Sequence, residues 1–571
     1  MRLLRLLTIF TLFFLVAFTF TGKREYPQDD FRSPINNTLR LAGTFGELRP
    51  NHFHAGIDIK GATGTPLFSI ADGYVSRIKV GSGGYGQVLY IRHANGFTSV
   101  YAHMDRFAPE LEELIRSYQY QQETFEVEIY PEKDQYSLKK GDQIGTMGMT
   151  GSAFGPHLHF EIRDSRTEKP INPLLFGFKV ADNQPPKMHE LRVYSINDQR
   201  ETSDGKSYGL IKTKSGYQTK SDTLFVASDR VGFALKTYDH MDGVTNWNGI
   251  YSLEMYQDDS LSFQFEMETF AFNETRFLNA HLDYEEQVSA GSYFNRCHLL
   301  PGNELSIYNH QTNFGVIKVS PNRASKMELV VKDIAGNESR LTYWVKRHDI
   351  INPKPLPHYS YFLPYNQGNA IDNGDFFLYL PKGSLYENLY LDYDGQYEQT
   401  NNVYSNIHHI HDFKTPVHQY FDLGIRPVLL PDELRDKAFV AYCGKNNTYY
   451  NCGGQWDKGM LQTKVRAFGD YCIMTDTIPP RIQVVDFQRD MRRFSEMSFK
   501  ITDNFPTARN IDDLSYRATV DGRWILMELD GKKDKITHRF DDRITPGQHQ
   551  LRLVVRDVLG NERVFEREFI R

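Results

Sequence analysis

The sequence predicts an all-β chain whose later part forms β-sandwich domains of immunoglobulin-like type. Three observations carry this. Aromatic residues make up 13% of the 571 residues beside 42 Gly and 25 Pro, a composition of short strands and frequent turns rather than of disorder. Apolar residues alternate with polar ones in short runs, as in Leu191-Arg-Val193-Tyr, the period of a half-buried strand. A unit of about ninety residues also occurs twice, the size of a small β-sandwich.

Taken in order, residues 1–22 read as a secretory signal. Arg2 and Arg5 form a basic start, and Leu6 to Phe20 an apolar run of fifteen, short of the ~20 residues that span a bilayer. No small-residue cleavage site precedes Gly22, which leaves an uncleaved membrane anchor as the alternative. The expectation is export to the cell envelope, with a periplasmic location. Residues 23–178 form the first folded unit, closed by Asn172-Pro173. Residues 179–350 form an immunoglobulin-like unit with an insertion, 351–475 a central β unit, and 476–571 a second immunoglobulin-like unit.

The two outer β units are tied by their ends. Each opens on an Asp followed three residues later by Pro-Pro, at Asp182 and Asp476. Each closes alike, with Leu329-Val-Val-Lys-Asp333-Ile-Ala-Gly336-Asn337 matching Leu553-Val-Val-Arg-Asp557-Val-Leu-Gly560-Asn561. The Gly-Asn pair suits a turn between two final strands. Asn352-Pro353-Lys-Pro355 marks the boundary before the central unit, where Phe376–Leu380, Leu389–Leu391 and Ala438–Tyr442 read as strands.

A net charge of -6 over this length gives no electrostatic reason to expect nucleic acid. The four cysteines, Cys297, Cys443, Cys452 and Cys472, lie outside the first unit, so no cysteine nucleophile is expected there. In an exported chain Cys443 and Cys452, which flank a turn-like segment, are candidates for a hairpin-closing disulfide; four reduced thiols are the alternative.

The chemistry concentrates in the first unit. His54-Ala-Gly-Ile-Asp58 is followed by Tyr101-Ala-His103 and then by His157-Leu-His159. An H-x-x-x-D with an H-x-H can supply two imidazoles and a carboxylate to one divalent metal, the three protein ligands that catalytic zinc requires. Alternate residues of a strand share a face, so His157 and His159 can both face one cleft. Gly56 among β-branched neighbours favours strand or loop over helix around His54 and Asp58. No H-E-x-x-H occurs, which excludes the helical zincin pattern.

Around these residues run further blocks: Gly64-Thr-Pro66, Ala71-Asp-Gly-Tyr-Val75, Gly83-Gly-Tyr-Gly86, His93-Ala-Asn-Gly-Phe97, Lys140-Gly-Asp-Gln-Ile-Gly145 and Gly155-Pro-His-Leu-His-Phe-Glu161. In order and content they resemble the lysostaphin-type (LytM-like) zinc endopeptidases, which cut the peptide part of peptidoglycan; the resemblance covers roughly Leu41 to Arg163. It implies an antiparallel β peptidase fold, one zinc held by His54, Asp58 and His159, and a catalytic pair in His103 and His157. One of that pair would act as general base and the other as oxyanion donor, in either assignment. The implied substrate is a peptidoglycan peptide, with protein partners for the C-terminal units. The rival reading is a non-catalytic envelope protein that binds or activates another hydrolase; family members of that kind lack metal ligands, and this chain keeps all three.

Other histidines fit packing roles: His52 and His93 by position, and His408-His409-x-His411 as a solvated loop. Phe154, in the loop before His157, either shapes the substrate groove or packs. The departure from the family is the segment 105–139, helical in pattern from Pro109 to Tyr118 and strand-like from Phe125 to Ile129. Following His103 directly, it is expected either to border the cleft as a wall or lid or to decorate the surface.

Overall fold

The structure is a computed structural model that describes residues 25–571 except 134, 204, 349–356, 397–401, 509–510 and 512. The signal segment 1–22 and the boundary around Asn352–Pro355 lie outside the described residues. Among the described residues no helix is long and apolar enough to cross a membrane.

The first unit is built on a nine-stranded antiparallel sheet. Its main strands are β1 (Leu41–Gly43), β2 (Ile57–Lys60), β3 (Gly73–Val80), β4 (Val88–His93), β5 (Phe97–Ala102), β6 (Val127–Ile129) and β7 (His157–Asp164). They run β1-β2-β7-β5-β4-β3-β6 across the sheet. A second sheet of three short strands, Pro66–Phe68, Gln143–Met147 and Met104–Phe107, closes the core. In β7 the period of two sends Leu158, Phe160 and Ile162 into that core, all fully buried. His157, His159, Glu161 and Arg163 therefore share the opposite face. Gly56 makes the neighbouring strand possible, because a Cβ there would meet the Phe160 carbonyl oxygen at 2.4 Å.

The remaining chain is mainly β, with short helical segments between Thr275 and Ala290 and short turns at Thr312–Gly315, Asp432–Lys437 and Lys445–Asn447. The Leu191 alternation is the strand Lys187–Ser195, as expected, and the second copy of the repeat opens on the strand Arg481–Asp486. The closing hairpins pair Ser325–Lys332 with Glu338–Arg347 and Gln548–Arg556 with Glu562–Ile570. Their turns use Gly336 and Gly560 in the left-handed region, at φ 93° and 78°. One pairing is parallel, Gly216–Val226 with Glu338–Arg347, within an otherwise antiparallel eleven-stranded sheet. Two five-stranded sheets enclose the core between Leu363 and Ile473, and two four-stranded sheets the last one.

The hairpin disulfide is not formed, and strand geometry explains why. All four cysteines are free. Cys443 lies in the strand Ala438–Cys443, opposite Tyr449, and its sulfur is 3.8 Å from that of Cys472 on the adjacent strand. Cys452 packs on the other face of the sheet, in the main core of this unit. Two cysteines on opposite faces of one sheet cannot bridge.

The segment after His103 is a helix, α1 (Pro109–Gln122), followed by β6. Leu111 and Ile115 seat it on the core of the first unit. Its other side meets the last unit of the chain. Arg116 pairs with Asp541 at 3.6 Å, Arg517 with Glu123 at 2.5 Å, and Tyr120 packs edge-on against Trp524 with ring centres 5.1 Å apart. Arg543 covers the other face of Tyr120 at 4.0 Å. The segment is thus not free decoration; it is a bracket that seats the C-terminal unit on the first.

Candidate metal centre

The register of β7 assembles the site. His159 lies directly opposite Asp58 on β2 and opposite Ala102 on β5, whose next residue is His103. His54 falls in the irregular segment just before β2 rather than in the strand itself. His103 takes a left-handed backbone, φ 61°, between β5 and the strand beginning at Met104, and this bend turns its ring towards His157, with ring centres 4.8 Å apart.

Three atoms converge. His54 Nε2 lies 3.0 Å from Asp58 Oδ1, His159 Nδ1 lies 2.9 Å from the same oxygen, and the two imidazole nitrogens are 2.9 Å from each other. His157 Nε2 approaches Asp58 Oδ1 at 3.6 Å. The structure thus brings together all five residues singled out from the sequence.

Each imidazole is held by its other nitrogen. His54 Nδ1–H donates to the Thr44 carbonyl at 2.7 Å, His103 Nδ1–H to that of Thr150 at 2.9 Å, and His157 Nδ1–H to that of Gly155 at 2.8 Å. His159 Nε2–H donates to Glu161 Oε1 at 2.9 Å, and Glu161 is anchored by Arg163 Nε at 2.6 Å and by the Tyr85 hydroxyl. These bonds fix the tautomers, leaving one basic nitrogen per ring aimed at the cluster. Two imidazole lone pairs 2.9 Å apart repel unless positive charge lies between them. The buried His-Asp-His group therefore fits a divalent metal by donor type, count and spacing.

The electrostatics agree. Burial opposes ionisation of Asp58, but His54 and His159 outweigh it and hold the carboxyl well below its ordinary range. Arg49 Nη2 also pairs with its second oxygen at 2.6 Å. Burial disfavours a proton on His159, yet hydrogen bonds to Asp58 and Glu161 raise it to about 9. The pocket thus attracts positive charge where the three atoms meet. Burial pushes His54 down to about 4, and burial with the neighbouring His159 and His157 pushes His103 down to about 3. Both are neutral at pH 7 and able to ligate or to accept a proton.

Other histidines stand apart. His93 bridges the Asp72 carbonyl and the Ser99 hydroxyl, a packing role as expected. His52 contacts the Pro50 carbonyl. His408 and His409 lie in the strand Ile407–Ile410 rather than a solvated loop; His408 is buried against Tyr393 and His409 pairs with Asp470. Phe154 is fully exposed in the loop before His157.

Sequence reasoning missed the supporting residues. Glu161 and Arg163, two and four residues beyond His159 on one strand face, carried a readable signal. Arg49, Tyr85 and Lys532 did not. Lys532, in the turn between strands Glu528–Asp530 and Lys535–Arg539 of the last unit, donates to the Met149 and Ala153 carbonyls, both at 2.7 Å. It thereby grips the loop whose Thr150 and Gly155 carbonyls orient His103 and His157. On its other side the loop packs backbone to backbone, since a Cβ on Gly151 would meet Gly86 N at 2.3 Å.

Comparison with known proteins agrees with this geometry. The model for Peptidase family M23 matches residues 52–119 and 118–173. Lipoprotein NlpD of Yersinia enterocolitica is 34% identical over 119 residues, 96% of that protein and 21% of this chain. The chain belongs to peptidase family M23. The M23 region is also 35% identical over 140 residues to the DD-carboxypeptidase/endopeptidase Mpg of Neisseria meningitidis, covering 24% of this chain and 26% of that protein. It is 34% identical over 137 residues to the murein hydrolase activator NlpD of Escherichia coli, covering 24% and 29%. The chain therefore spans under a third of the length of these two relatives. A Zu5-like domain model matches residues 360–476, beyond the M23 region.

Glu161→Gln keeps an acceptor for His159 but removes the charge that orients it. A fall of about 10–100-fold in divalent-metal affinity is expected, read by competition with a chromogenic chelator; unchanged affinity would show that Glu161 does not tune the site.

Proposed function

We propose that this protein is an exported zinc endopeptidase that hydrolyses peptide bonds of peptidoglycan, in cross-links or stem peptides. The observation that carries the reading is the convergence of His54 Nε2, Asp58 Oδ1 and His159 Nδ1 within 2.9–3.0 Å of one another, beside two further oriented imidazoles. Nitrogen and carboxylate donors in threes, with room for a fourth ligand, are the pattern of catalytic zinc. When bound there, zinc would lower the pKa of a water towards 7 and polarise the scissile carbonyl. His103 and His157 stand next to that position, their ring centres 4.8 Å apart and each ring held through its Nδ1. One would take the water's proton and the other would hydrogen-bond the developing oxyanion. The Thr150 and Gly155 carbonyls keep both rings in the tautomer this needs.

The envelope location rests on the apolar start of the chain and on relatives described as a murein hydrolase activator and a lipoprotein. The same relatives supply the second reading, a binding protein that activates another hydrolase. The complete ligand set and the oriented histidine pair favour catalysis, since binding alone needs neither. The β units that follow would place the peptidase and offer surfaces to protein partners.

Elemental analysis should find about one zinc per chain in the M23 site, and His159→Ala should lose it. Retention of full zinc content in that variant would overturn the ligand assignment. His103→Ala and His157→Ala should keep zinc while release of muropeptides from purified peptidoglycan, read by mass spectrometry, falls about 10²–10⁴-fold. Normal turnover in both variants would favour the binding protein.

Lys532→Ala should lower kcat by up to about 10²-fold, the cost of misplacing catalytic groups by about an ångström, with zinc content intact and KM little changed. Lys532→Arg should restore part of the rate. A KM effect alone would assign Lys532 to substrate binding.

A further inference from the structure

Two clusters of three aspartates lie outside the peptidase site. Ligand-competent side-chain oxygens of Asp182, Asp239 and Asp333 lie within 4.8 Å of one another, and so do those of Asp476, Asp503 and Asp557. The clusters occupy equivalent places in the two copies of the repeat. The first aspartate precedes Pro-Pro, the second follows the strand paired with the opening strand, and the third opens the Asp-x-x-Gly-Asn turn. Their braces also match. Asn337 Nδ2 donates to Asp333 Oδ2 at 2.8 Å and to the Asp182 carbonyl at 3.3 Å; Asn561 Nδ2 donates to Asp557 Oδ2 at 2.8 Å and to the Asp476 carbonyl at 3.0 Å. A backbone N–H caps Oδ1 of the first aspartate in each, from Gln184 at 3.1 Å and from Ile478 at 2.9 Å.

An acidic cluster alone is no site, but these carboxylates are left incomplete. Asp239 is only 2% exposed, and its Oδ1 has no hydrogen-bond partner. The Asp182 Oδ2 and Asp503 Oδ1 atoms are also inaccessible and unpartnered, on side chains that are themselves half-buried. The charges nearest Asp239 are the other two carboxylates; burial first, and then these neighbours, push it up to about 8. Buried carboxylates facing one another are costly unless one takes a proton or a cation joins them, and a cation satisfies all three at once.

We propose that each aspartate triad binds one calcium ion, at two equivalent junctions between consecutive units of the chain. All-oxygen donors select a hard cation over zinc or copper, and calcium accepts the irregular mixture of carboxylate, carbonyl and water ligands that three converging loops can supply. The position explains a use. The loop after Asp239 inserts Met241 into the core of the peptidase unit, and Asp242 accepts from Asn183 and Gln184 of the linker. The loop after Asp503 likewise packs Phe505 on Phe439 of the preceding unit, ring centres 5.0 Å apart. An ion at each triad ties the entering linker, the loop touching the previous unit and the closing turn into one rigid joint. The second joint sets the unit that carries Lys532.

The test is equilibrium dialysis of the full chain, stripped on a chelating resin, against radioactive calcium at neutral pH. Two ions per chain are expected. Asp239→Asn should lose one, Asp503→Asn the other, and the double variant both, while His159→Ala keeps both. Calcium should also raise the thermal midpoint of the wild-type chain by several degrees and slow proteolysis at 181–186 and 476–480. The wild-type count needs no variant to fold. No binding at about millimolar calcium, equal binding of magnesium, or both ions retained in the double variant would overturn the proposal.

Discussion

The register of one strand holds the peptidase site together. Because β7 pairs His159 with Asp58 on one side and with Ala102 on the other, the metal-facing pair and the residue before His103 are brought into line at once. A slip of a single residue would turn His159 into the core and Leu158 into the cleft. What prevents the slip is apolar burial, since Leu158, Phe160 and Ile162 have places only on the inner face. The close approach allowed by Gly56 fixes the spacing to β2. The hydrophobic effect therefore sets the geometry of a polar site, and the His-Asp-His cluster inherits its tolerance from the packing beneath it.

On the outer face of the same strand, burial creates the opposite demand. His159, Glu161 and Arg163 are nearly inaccessible, so each charge needs a partner. They satisfy one another in sequence, from His159 through Glu161 to Arg163, with Tyr85 closing the side. This chain of bonds fixes the protonation pattern as well as the position. Thr44, Thr150 and Gly155 do the same for the other imidazoles through backbone carbonyls.

The supports reach far beyond the peptidase unit. Thr44, whose carbonyl orients His54, receives the Gly249 N–H of the following unit at 3.0 Å. Lys532 holds the loop of Thr150 and Gly155 from the end of the chain, and α1 supplies the surface on which its unit sits. The later β units therefore brace the site as well as extending the molecule.

Much was legible in the sequence because it is local. Alternation in β7, the helical spacing after Pro109, the Gly-Asn turns of the repeat and the histidine and aspartate spacing each depend on neighbours a few residues away, so they survive in one dimension. The all-β class followed from them, and the five site residues from the spacing together with the family resemblance. What the tertiary structure decided depends on which strands become neighbours and which faces they show. Cys443 sits beside Cys472 and away from Cys452 because register assigns the faces. The insertion became a bracket because the last unit returns to meet it. The supporting roles of Thr44, Thr150 and Gly155 rest on carbonyl groups that every residue carries, and that of Lys532 on a contact closed across most of the chain. No side-chain pattern records such contacts, because they exist only once the cores have formed and brought distant backbone together.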